Sequence, residues 1–125
     1  MGTRIEGLVL TLAMALGAGT ALADGVLKAL HGGQVVETDG GIRIEFVVRE
    51  GAVAAWVRDH GDRPIPPAQA SGKATLLLGS RKLDVALTAE GAELVGRGAI
   101  SSADKLTAIL SLTVNGKPVA ARFTR

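Results

Sequence analysis

Two histidines, His31 and His60, are the side chains in this sequence best suited to metal or proton chemistry. Both are flanked by glycine, in His31-Gly32-Gly33 and His60-Gly61, which places them in loops. Imidazole is a common ligand for Zn(II), Cu(II) and Ni(II). With carboxylates from Glu45 or Asp59, or the amino group of a chain beginning at Asp24, the pair would make a mixed nitrogen and oxygen site for Cu(II) or Zn(II). No short ligand spacing links them, and the plainer account leaves both as exposed loop residues. The chain has no cysteine, and its two methionines are Met1 and Met14, so a thioether or thiolate Cu(I) site is excluded beyond the first segment.

Glu45 and Trp56 are the other candidates. On the strand pairing set out below they lie opposite one another, with Arg58 diagonal to Glu45. Glu45 reads either as a metal ligand or as an exposed cross-strand charge that eases the repulsion between Arg43 and Arg58. Trp56 reads either as an anchor for a protein partner, since Trp is enriched in interface hot spots, or as a ring packed beneath a loop.

Catalytic patterns are sparse. Asp59 and His60 are adjacent, so on a strand they would point to opposite faces and could not act as a relay. Ser71, Ser80, Ser101 and Ser102 read as turn residues, and none sits in a Gly-x-Ser-x-Gly elbow. Gly96-Arg97-Gly98 lacks the strand–turn–helix setting of a phosphate cradle, and Gly72-Lys73 lacks the Walker spacing. A glycosidase-type carboxylate pair stays open, although a domain this small has few places for the necessary cleft. The expectation is therefore a protein that is not an enzyme, with a small hydrolase as the least supported class.

The elements that must position these residues are strands. Turn signals recur roughly every eight to twelve residues, with β-rich runs between them. The runs are 34–38, 42–49, 52–58, 73–78, 82–88, 94–100, 106–114 and 118–124, with a further short one at 26–30. Asn115-Gly116 predicts a type I′ hairpin, because both residues tolerate positive φ. Pairing outward from it sets Leu112 opposite Val119, Leu110 opposite Ala121 and Ala108 opposite Phe123, all apolar on one face. Turning at Glu50-Gly51 sets Val48 opposite Val53, Phe46 opposite Ala55 and Ile44 opposite Val57. Turning at Gly79-Ser80 sets Leu76 opposite Leu83 and Ala74 opposite Val85. The run from His60 to Pro67 holds three prolines and reads as a loop crossing between sheets.

One-sided strands need a second apolar face to cover them. The expected fold is all-β: an immunoglobulin-like antiparallel sandwich of about seven to nine strands, without the cysteine pair of antibody domains, and with a small barrel as the alternative. The domain would span 24–125. Residues 1–23 read as a cleaved signal peptide: Arg4, an apolar run from Leu8 to Leu22, and the small-x-small ending Ala21-Leu22-Ala23. That run is shorter than the roughly 20 residues of a membrane span. The expected location is periplasmic or secreted, with no membrane association after cleavage. A formal net charge of +2, scattered rather than clustered, excludes a nucleic-acid binder.

One stretch carries a resemblance. His31-Gly32-Gly33-Gln34-Val35-Val36, then Ile44-Glu45-Phe46-Val47, then Val57 to Pro64 resemble small secreted proteobacterial β-domain proteins. They are also similar to the β-rich segment, opening with His-Gly-Gly, of periplasmic adaptor subunits of heavy-metal efflux pumps. The resemblance implies a periplasmic accessory module that binds a divalent metal or docks on an efflux adaptor. The chain departs from metal-handling proteins in having no His-rich tail, Met cluster or cysteine. The alternative is a structural or protein-interaction domain with no metal.

Overall fold

A computed structural model describes residues 27–125, and the expected signal peptide lies outside them. Eight strands follow in order: β1 Gln34–Glu37, β2 Arg43–Arg49, β3 Ala52–Arg58, β4 Ala70–Leu78, β5 Arg81–Glu90, β6 Glu93–Arg97, β7 Thr107–Val114 and β8 Lys117–Thr124. A single 3-10 turn, Pro67–Gln69, precedes β4. The fold is all-β and every pairing is antiparallel, as expected.

All eight strands join one sheet in the order β1-β2-β3-β6-β5-β4-β7-β8. The sheet curls because β5 changes partner along its length. Arg81–Leu87 pairs with β4 and Thr88–Glu90 pairs with β6. This curl brings the two ends together: Gln34 Nε2 on β1 donates to the Thr124 carbonyl on β8 at 3.1 Å. Inside, Phe46 of β2 and Phe123 of β8 stack with centroids 5.0 Å apart. The result is closer to the small barrel than to two separate sheets.

The three hairpins have the registers that the apolar alternation predicts. Asn115 and Gly116 have φ of 50° and 81°, as the type I′ turn requires. Buried residues of one parity, including Ile44, Val53, Leu76, Leu94 and Leu110, fill the interior, which is the period-two burial of half-covered strands.

Three stretches differ most from the sequence reading, one of them the end of β6, which stops at Arg97 rather than 100. No strand forms over 27–30, because that segment leaves the sheet and folds over its outer face. β4 begins at Ala70 rather than 73. Ser71 reads as a turn residue, yet it sits with Gly72 in a central strand. Gly72 tolerates a φ of 153°, and a Cβ there would collide with the Ser111 carbonyl.

One strand stands apart. All seven residues of β3 are buried, on both faces. One face points into the core. On the other, Ala52, Ala54 and Trp56 form a second apolar cluster with Val95. Something must cover that outer face, and it is there that the candidate residues gather.

Candidate functional site

Two irregular segments cover the outer face of β2 and β3. One is Lys28–Gly33, ahead of β1. The other is the proline-containing loop after β3. The second does cross between distant strands, since β3 and β4 are separated by β6 and β5.

Glu45 anchors the first segment. Its side chain is fully buried, so the expectation of an exposed charge pair is overturned. Strand alternation places Glu45 on the outward face, but that face is covered. The carboxylate accepts from the backbone N–H of Leu30 at 2.9 Å, His31 at 2.7 Å and Gly33 at 2.9 Å. Burial alone would raise its pKa; the N–H groups of Gly33, Leu30 and His31 outweigh burial and hold the carboxyl below its ordinary range. Gly33 is required where the segment meets β2, because a Cβ there would collide with the Phe46 carbonyl oxygen.

His31 completes this contact. Its Nδ1 lies 3.1 Å from Glu45 Oε1. Its ring lies flat on Trp56, centroids 3.8 Å apart and planes 2° apart. An ionised Glu45 favours the tautomer with the proton on Nδ1, which leaves Nε2 as an acceptor. Trp56 sits on the outward face, as expected, but only 9% of it is exposed. Arg49 reaches within 5.6 Å of the indole centroid.

Arg43 and Arg58 face each other across β2 and β3, and both are buried. Asp62 lies against both, while Glu37 Oε1 pairs with Arg43 Nε at 2.8 Å. The Oδ1 of Asp62 forms an ion pair at 3.0 Å with Arg43 Nη1 and lies 3.7 Å from Arg58 Nε. The Arg43 guanidinium holds the carboxyl of Asp62 below its ordinary range, and does the same for Glu37. Arg58 Nη2 donates to the Lys28 carbonyl at 2.7 Å, while its Nε and Nη1 are buried without hydrogen-bond partners.

The remaining predicted residues lie elsewhere in this network. Asp59 spends its Oδ1 on the N–H groups of Gly61 and Arg63, closing the turn that presents Asp62. His60 is exposed and its Nδ1 lies 3.2 Å from Glu37 Oε2. The two histidines therefore meet different carboxylates. Among the described residues, no group of three or more His, Cys, Asp or Glu side chains is placed to hold a metal ion.

Beside the His31–Trp56 stack lies a cavity of about 340 Å³. Its walls include Leu30, Trp56, Ile65, Pro66, Pro67 and Ala92, and both His31 and Arg58 contribute. Leu30 is 59% exposed at its rim. Sequence reasoning named His31 and Trp56 here but missed Leu30, Arg58 and the prolines. The unusual density of proline after an arginine-ended strand was the available signal: prolines give a loop a fixed wall.

Compared with known proteins, the chain matches no family model, no curated protein and no solved structure.

Proposed function

We propose that this protein is an exported, non-enzymatic binding module whose working site is the cavity beside the His31–Trp56 stack. The observation that carries this reading is the cavity itself. It is apolar, it has a proline-stiffened wall, and a few polar groups converge on it, which is the usual character of a small-molecule site. Glu45 and Arg58 serve the site by holding the Lys28–Gly33 wall in place. His31 offers a basic Nε2, but a lone imidazole beside apolar walls supports recognition better than bond cleavage.

The test is a titration with benzene and octan-1-ol followed by amide NMR spectra. Shifts confined to Leu30, the Trp56 indole N–H, Ile65 and Ala92 are expected. Shifts scattered over the barrel, or none, would overturn the reading.

A second reading, docking on a periplasmic protein such as an efflux adaptor, draws support from the exposed Leu30 at the rim. Substituting Leu30→Ser would then abolish partner capture.

A further inference from the structure

We infer that Lys28–Gly33 is a strap that lifts from the barrel as a unit, and that this motion opens and closes the cavity. This rests on the binding-site reading above and adds how the site is gated.

The strap belongs to no ladder. β1 begins only at Gln34, and among the described residues no backbone-to-backbone hydrogen bond joins 28–33 to another segment. Two side chains and one ring hold it instead. Glu45 accepts from the N–H groups of Leu30, His31 and Gly33, Arg58 donates to the Lys28 carbonyl, and His31 lies on Trp56. Residues 28–32 are all exposed, so little apolar surface binds the strap to the sheet. The strands beneath are built differently: β3 is paired with β2 on one side and β6 on the other. Lifting the strap breaks none of those bonds. A segment without a ladder and with few buried apolar contacts opens at lower free energy than a core strand.

Opening is all-or-none because the contacts converge on one carboxylate. Oε2 takes the N–H groups of His31 and Gly33, and Oε1 takes the Leu30 N–H and meets His31 Nδ1. Losing one donor alone leaves a buried charge short of partners. Losing all of them at once lets water take their place. The strap is also part of the cavity lining. Leu30 and His31 belong to it, whereas Trp56, Ile65, Pro66, Pro67 and Ala92 stay with the barrel. Leu30 is 59% exposed, and an apolar molecule in the cavity gives it surface to cover. A ligand therefore interacts better with the closed strap than with the lifted one, which is the condition for shifting that equilibrium.

The intact purified protein is followed by amide hydrogen exchange, with and without octan-1-ol. The amides of Leu30, His31 and Gly33 should share one protection level, at least about tenfold below that of Ala74, Leu76 and Leu110 in the core. Octan-1-ol should slow all three. In Glu45→Gln the signals of Leu30, His31 and Gly33 should move to the positions of an unstructured chain, with those of Ala74, Leu76 and Leu110 in place. The fraction of closed strap then falls, and octan-1-ol should bind about tenfold more weakly. Because this variant alters a buried network and can fail to fold, His31→Ala gives a second measure: losing the ring stack should quicken exchange at Leu30 and Gly33 about fivefold. Equal protection of strap and core in the wild type would overturn the inference, the strap then opening only with the barrel. Octan-1-ol that shifts the Ile65 and Ala92 signals yet leaves strap exchange unchanged would overturn the gate and leave the binding site standing. No response to octan-1-ol at the cavity would overturn the site, and the gate with it.

Discussion

The imidazole of His31 lies face to face with the indole of Trp56, 3.8 Å between centroids and 2° between planes. A loop residue thus closes a hydrophobic cluster on the outside of the barrel. The stack also ties the segment ahead of β1 to β3, with Glu45 as the polar half of the same clasp.

That clasp should be costly to break at Glu45. Glu45→Gln replaces a carboxylate that accepts three backbone N–H bonds with an amide, one end of which is itself a donor. A loss of about 3 kcal/mol is expected, the scale for breaking a buried charged network. Urea unfolding followed by Trp56 emission measures it. A loss under about 1 kcal/mol, typical of a single neutral hydrogen bond, would mean that the segment is held by other contacts.

The same carboxylates set the acid limb of stability. Glu45, Glu37 and Asp62 are all held below their ordinary range. A depressed folded-state pKa contributes stability that is full above the unfolded value, about 4 for these groups. It is lost as pH falls through the folded value, because the unfolded chain then binds more protons. The urea midpoint should hold level near neutrality and drop below about pH 4. In Glu45→Gln the drop should be shallower, and an unchanged slope would remove Glu45 from this account.

Removing the histidines should separate their roles. His31→Ala loses the stack and the Nδ1 contact, at an expected cost of about 1 kcal/mol. It also uncovers Trp56, so the emission maximum should move to longer wavelength. His60→Ala, on an exposed loop residue, should change stability by less than about 0.5 kcal/mol and leave the emission unchanged. Equal effects from the two would contradict the separate environments described.

Two glycines make a contrasting pair. At Gly116, φ is 81° and an added Cβ would meet nothing within 4 Å, so Gly116→Ala should cost only the left-handed penalty, about 1–2 kcal/mol. At Gly72 the Cβ would collide with the Ser111 carbonyl and crowd the Leu112 backbone. Gly72→Ala should therefore cost well over about 3 kcal/mol or prevent folding. Thermal unfolding of the two variants side by side checks the ranking.

Much of the barrel was legible in the residue order. Alternating apolar residues and the Asn115-Gly116, Glu50-Gly51 and Gly79-Ser80 turns determined three hairpins and their registers, because a one-residue slip would turn every apolar side chain to the wrong face. The same alternation determined that Arg43, Glu45, Trp56 and Arg58 point outward. What only the tertiary structure decided is that outward does not mean exposed on this part of the sheet. Lys28–Gly33 and the Asp59–Pro66 loop return over β2 and β3 through contacts such as Arg58 with Lys28 and Glu45 with His31. A periodic pattern reports which side of its own strand a residue occupies. It carries no information on whether a segment from elsewhere in the chain will cover that side. That covering depends on backbone N–H groups and carbonyls, which every residue possesses and no pattern marks.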